Sequence, residues 1–246
     1  MSVPAPASLR FLLLQVRNDN DPMREHERLA FARALAIEPD HCDTVDLLST
    51  RPSPTQLDTS DVVLLGGSGD YSATGEGEWL DRSLDVLREL VQRNQPTFAS
   101  CWGFQAMARA MGGTVVNNPD TAEVGTHQLF VTQAGRNDPV FGSLGQSFPA
   151  QMGHEDCVSV LPEGTTLLAF SERNTHQAYR VDDAPIYCTQ FHPELTRTDL
   201  NQRVEAYPQY IERITGQTPE EFIAALEETP GAEALLQRFV ATVFAG

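Results

Sequence analysis

The chain has 246 residues, 41% hydrophobic and 21% charged, a balance that suits a large folded core and excludes a disordered chain. Seventeen basic residues against 34 acidic ones give a formal charge of −17, which repels phosphate backbones and anionic membranes, so neither nucleic acid nor membrane is an expected partner. No apolar run approaches a membrane span, and Phe11–Leu14 is too short for a signal-peptide core, so a cytoplasmic protein is expected.

Residues 1–8 are small and proline-rich and read as a flexible tail. Phe11 to Val16 is a short apolar run suited to a buried strand. Asp21-Pro22 is a helix start, an N-cap followed by proline in the first turn, for a helix reaching Ala36. Strands are expected at Thr44–Leu48 and Asp61–Leu65, separated by a proline-rich connection at Arg51–Pro54. The second of these runs into Gly66-Gly67-Ser68-Gly69. Between Trp79 and Val91, apolar residues at 80, 84, 87 and 91 mark one helical face. A strand at Pro96–Ser100 is followed by a helix from Trp102 to Met111, stopped by Gly112-Gly113.

This alternation predicts an α/β fold with a mostly parallel central sheet flanked by helices. In the second half, strands are expected at 128–132, 166–170, 177–181 and 186–191, with Asp182–Pro185 as a hairpin loop, giving a smaller antiparallel section. From Asp199 the pattern turns helical, and Thr218-Pro219-Glu220-Glu221 is a helix N-terminus signal. With no internal repeat and no clean boundary, 1–246 is expected to be one domain, with 196–246 as a helical extension.

The chemistry-bearing stretch is Pro96-Thr-Phe-Ala-Ser-Cys101-Trp-Gly-Phe-Gln105. A buried strand runs into Cys101 and a helix leaves directly after it. Small residues at 99 and 103 are what a sharp strand-to-helix turn demands. Such a turn puts the sulfur at a helix N-terminus, where the dipole favours thiolate. A cysteine in general is more often an inert core residue, which suits Cys42, Cys157 and Cys188. No Cys-x-x-Cys or His-x-x-x-His spacing suggests a zinc site, and no metal or cofactor is expected.

A cysteine nucleophile needs a proton donor or base. His26 and His41 read as solvated, and His127, His154 and His176 lie near strand ends. His192 closes a strand, and Pro193 stops the ladder and keeps residue 192 extended. Residues 192 and 194 then share a side, so Glu194 can orient the imidazole. Taken alone, that context suits a local ion pair equally well.

Together, Cys101-Trp-Gly-Phe-Gln105 and Phe191-His-Pro-Glu194 resemble the class I glutamine amidotransferases. Leu64-Leu65-Gly66-Gly67, Ala108–Val116, Glu123-Val-Gly125 and Met152-Gly-His-Glu-Asp156 are similar to further family segments, and the likeness spans about residues 10 to 195. The resemblance implies a flavodoxin-like fold and a Cys101–His192–Glu194 triad acting on glutamine or another γ-glutamyl compound through a thioester. It implies an oxyanion hole at the amides of Gly67 and Trp102, and substrate contacts at Gln105, Gly66, His154, Glu155 and Asp156. Gln105 reads otherwise as an ordinary helix residue. Two positions depart from the family: Ala99 where glycine is usual, and Glu155 where glycine or serine is frequent. A carboxylate at 155 facing the pocket would repel the α-carboxylate of glutamine. After Glu194 only packing helices are expected, so two enzyme readings stand: a glutaminase docking on a synthetase in trans, or a stand-alone γ-glutamyl peptidase. A catalytically silent binding protein on the same scaffold is the third.

Overall fold

The computed structural model describes residues 8–206 and 214–245. Residues 1–7 of the expected tail, and 207–213 and 246 of the expected extension, lie outside the described residues. The elements in chain order begin with β1 (Phe11–Val16), α1 (Met23–Leu35), β2 (Cys42–Asp46), α2 (Pro54–Thr59), β3 (Val62–Ser68), α3 (Glu78–Gln92), β4 (Thr97–Ser100) and α4 (Trp102–Ala110). There follow β5 (Thr114–Asn117), β6 (Glu123–Val131), α5 (Gln133–Asn137), β7 (Ser147–His154), β8 (Asp156–Val160), β9 (Thr165–Phe170), β10 (Ala178–Val181) and β11 (Ile186–Thr189). The chain ends in α6 (Arg197–Ala206), α7 (Pro219–Ala225), α8 (Pro230–Glu233) and α9 (Leu235–Val243).

Nine strands form one sheet in the order β2-β1-β3-β4-β11-β10-β9-β6-β7, and β5 pairs with β8 separately. The first five are mutually parallel, and from β10 onward neighbours are antiparallel. The expected mostly parallel sheet with a smaller antiparallel section is therefore present. β1 is buried at all six positions because helices cover both its faces, which is why it reads as continuous rather than alternating. Phe11 and Leu13 pack on one side with Phe31, Leu35 and Phe239; Leu12 and Leu14 pack on the other with Leu80, Leu87 and Phe104.

Local signals hold in detail. α1 begins one residue after Pro22, where Asp21 Oδ1 accepts the Met23 N–H at 2.8 Å. Thr218 and Glu221 close a capping box around Pro219. Three expectations are corrected. The proline-rich connection contains α2, because Ser53 and Gln56 form a capping box with Pro54 in the first turn. The strand expected at 128–132 is β6, which begins at Glu123. His26 is not solvated: its side chain is 13% exposed and lies 3.5 Å from Asp199 Oδ1.

The topology places the crevice. In an open parallel sheet, ligands collect at the carboxyl ends of strands where the order reverses, here between β1 and β3. Arg17 follows β1, Gly67 and Ser68 end β3, and Cys101 follows β4. All four line one open cleft with an internal volume of about 220 Å³.

Candidate active site

Cys101 has φ 52° and ψ −104°, a backbone conformation that L-residues rarely adopt. Its N–H bonds to Thr189 O at 2.8 Å, tying the turn to the end of β11. The small flanking residues are required by packing. A Cβ on Gly103 would stand 2.6 Å from Leu65 Cβ and 3.2 Å from Ala99 Cβ. Ala99 has no positive φ and sits in β4; the conformational burden falls on Cys101 itself.

β4 and β11 are parallel neighbours in register Ser100 to Thr189. Cys101 and His192 therefore leave adjacent strand ends, which brings together segments far apart in the chain. His192 Nδ1 lies 2.7 Å from Glu194 Oε1, so Nδ1–H donates to the carboxylate. The ring and the sulfur flank one point: a Cβ on Gly67 would stand 3.0 Å from His192 Cε1 and 3.8 Å from Cys101 Sγ. Cys101 Sγ lies 3.7 Å from the Gly153 carbonyl. Burial would push the His192 imidazole down, but the Glu194 carboxylate and the Cys101 sulfur outweigh it and hold the ring at about 9. Burial pushes Glu194 up; His192 and then Arg203 hold it below the usual carboxylate range.

The amide of Trp102 is the first of α4, one of the N–H groups a helix cannot satisfy internally. Gly67 packs against the same point: a Cβ there would be 3.8 Å from Cys101 Sγ. Gln105, Glu155 and Asp156 all line the cleft. Gln105 Nε2 donates to Asp156 O at 2.8 Å and to Gln190 Oε1 at 3.1 Å. The Asp156 carboxylate accepts from Ser72 Oγ at 2.5 Å and from Asn117 Nδ2 at 2.9 Å.

Of the other expected contacts, one lies off the cleft and one lines it with its ring already engaged. Gly66 is not among the cleft-lining residues; it lies beneath Glu27, whose Oε1 would be 2.2 Å from a Cβ there. The His154 ring lines the cleft but is engaged on both nitrogens, by Asp156 O at 3.0 Å and Glu123 Oε2 at 3.2 Å.

Sequence reasoning missed the charges beside His192. Glu27, on α1, is fully buried and accepts from Arg17 Nη2 at 3.1 Å and from Gln15 Nε2 at 2.9 Å. Arg203, on α6, lies 3.5 Å from Glu194 Oε1. The other cysteines are buried, and burial raises the thiols of Cys42 and Cys188 to about 12 and also raises that of Cys157. Among the described residues, no group of three or more His, Cys, Asp or Glu is arranged to hold a metal ion.

A thiol at a strand-to-helix turn and an imidazole held by a carboxylate line the same crevice of an α/β sheet. The profile of the glutamine amidotransferase class-I family matches residues 34–206, and the chain belongs to that family. It is 32% identical over 171 residues to a GMP synthase (glutamine-hydrolyzing) of Streptomyces avermitilis, covering 70% of this chain and 31% of that protein. The chain thus spans about a third of the curated GMP synthase that it matches. It is 29% identical over 159 residues to gamma-glutamyl peptidase 3 of Arabidopsis thaliana, covering 63% of this chain and 62% of that one. A glutamine amidotransferase structure from Thermotoga maritima superposes with TM-score 0.77 at 19% identity, over 96% of this chain and 99% of the other. One from Methylobacillus flagellatus superposes with TM-score 0.72 at 20% identity, over 96% and 92%. These two share the fold. No helix among the described residues is long and apolar enough to cross a membrane.

Proposed function

We propose that the protein hydrolyses the γ-amide bond of glutamine or a γ-glutamyl compound through a thioester on Cys101. The observation that carries this reading is the His192–Glu194 contact of 2.7 Å beside the Cys101 turn. The Cys101 thiolate attacks the γ-carbonyl carbon, and the carbonyl electron pair moves to an oxyanion facing the amides of Gly67 and Trp102. The oxyanion collapses, the C–N bond breaks, and the His192 imidazolium gives its Nε2 proton to the departing nitrogen. Ammonia or an amine leaves. Neutral His192 then takes a proton from water, whose oxygen attacks the thioester. Glutamate departs and the thiolate–imidazolium pair is restored. Glu194 keeps its charge throughout and fixes the ring.

Within this chemistry, Gln105, Glu155 and Asp156 hold the glutamyl end. The similarity to a γ-glutamyl peptidase supports a γ-glutamyl peptide as the substrate. The likeness to GMP synthases supports a second reading, a glutaminase that serves a synthetase bound in trans. The test is glutamate release from glutamine and from γ-glutamyl dipeptides by wild type and Cys101→Ala. Release that depends on Cys101 and is stronger with dipeptides than with glutamine is the expected result. Glutamine turnover seen only with an added synthetase would establish the second reading. No turnover of any γ-glutamyl compound under either condition would leave a binding protein.

A further inference from the structure

Beside the His192–Glu194 pair lies a run of buried and half-buried charges that the proposed reaction does not use. Arg203 Nη1 comes within 3.4 Å of His192 Nδ1, and Arg203 Nη2 lies 3.5 Å from Glu194 Oε1 and 3.9 Å from Glu27 Oε1. Glu27 in turn holds Arg17, which also reaches Asp21 Oδ2 at 3.1 Å. The charges alternate in sign from the loop after β1 to the imidazole. Nδ1 carries only one hydrogen. At 2.7 Å the Glu194 carboxylate accepts it, so Arg203 cannot donate to Nδ1 and stands beside it as a bare positive charge.

We infer that Arg203 is a positioning residue for the His192–Glu194 pair: its guanidinium, between the Glu27 and Glu194 carboxylates, attracts the carboxylate that orients the imidazole and opposes the imidazole's positive charge. The inference rests on the proposed roles of Cys101, His192 and Glu194. The groups facing this pair come from five elements: Cys101 before α4, Gly67 on β3, the Gly153 carbonyl on β7, Arg203 on α6, and Arg33 on α1, whose Nη2 bonds the Glu194 carbonyl at 2.9 Å. Among these only Arg203 is a cation within 4 Å of both the ring and the Glu194 carboxylate. Glu27 tempers it without cancelling it, because Arg17 takes the closer share of that carboxylate.

The direction follows. A cation beside the ring disfavours the imidazolium, so removing it makes the ring hold its proton more tightly. The test is an NMR titration of the His192 ring in full-length protein, with the resonance assigned through His192→Asn. Arg203→Gln is expected to raise the His192 titration point by about half a pH unit or more, a roughly threefold tighter proton affinity. Arg203→Lys, which keeps the charge, is expected to restore it. Arg203→Met repeats the test if Gln disturbs α6, and thermal unfolding checks that each variant is folded. The alkaline limb of glutamate release should move with the titration. An unchanged or lowered titration in Arg203→Gln and Arg203→Met, or a Lys variant that shifts as far as they do, overturns the inference. Failure of the proposed function is separately visible, as a His192 titration indifferent to Cys101→Ala together with no glutamate release.

Discussion

Gly67 and His192 are in contact across the cleft: a β-carbon on Gly67 would lie 3.0 Å from His192 Cε1. The glycine is needed for this close approach and not for its backbone, since its φ is not positive. Gly67→Ala would therefore leave β3 intact and push the ring aside. A displacement of the ring by about 1 Å is expected to lower kcat/KM for glutamate release about 100-fold, with an unfolding midpoint close to wild type. Undiminished turnover would mean that the ring is free to retreat without penalty.

The conformation of Cys101 gives a stability test independent of turnover. At φ 52° and ψ −104° a β-carbon is strained, at a cost of order 1–3 kcal/mol. Ala and Gly both abolish the nucleophile, and only Gly relieves the strain. Cys101→Gly should be more stable than Cys101→Ala by about 1 kcal/mol, the reverse of the usual order within or beside a helix. Denaturant unfolding of the two variants decides it, and an alanine variant equal to or above the glycine one would show that the turn is relaxed.

The two ends of the site were legible for a physical reason. Cys101 and His192 each follow a short strand buried at every position, and Gly103 and Pro193 close by admit few local geometries. Glu27 and Arg203 were not legible. A charged residue on a helix ordinarily marks the solvent face, and the placement of these two depends on partners off the helix, Arg17 and Glu194. β7 was missed because Pro149 breaks its pattern, yet β7 is the last strand of the sheet, where a missing N–H is tolerated. α2 was missed because Pro52 and Pro54 resemble a connection, although Pro54 occupies the helix's first turn, where proline is favoured. The parallel half of the fold was readable from its apolar runs, while the antiparallel half required cross-strand partners that no local window contains.

The raised His192 imidazole sets two pH limits of the same sign. Its ordinary value is 6.5 and its value in the fold about 9. The stability this contributes is fully present below 6.5 and is lost as pH rises through 9. Proton donation to the leaving nitrogen needs the same protonated ring. Glutamate release should therefore hold across neutral pH and fall above about 9, while Glu194, lowered in the fold, stays ionised throughout. A kcat/KM profile that instead breaks near the ordinary histidine value would separate His192 from Glu194 in solution.

The last prediction concerns the pair that occupies the His154 ring. Glu123 is buried and accepts from His154 and from Asn174 Nδ2 at 2.8 Å, with Gln177 bonded to the same oxygen. Burial raises this carboxyl, but His154 and its amide and hydroxyl neighbours outweigh burial and lower it from 4.5 to about 2. The sign is that of a depressed acid: the contribution is present above 4.5 and is lost as pH falls through 2. Its size is bounded at roughly 3 kcal/mol. Glu123→Gln leaves the His154 ring facing a neutral amide in a buried site, with Asn174 and Gln177 still to be satisfied. It should cost about 3 kcal/mol at neutral pH and flatten the loss of stability between pH 4.5 and 2. Because His154 also holds the Asp156 carbonyl that receives Gln105, the variant should raise KM for γ-glutamyl substrates more than it lowers kcat. Urea unfolding at neutral and acid pH, combined with steady-state kinetics, separates the two effects. Unchanged stability would show that a neutral amide serves His154 as well as the carboxylate does.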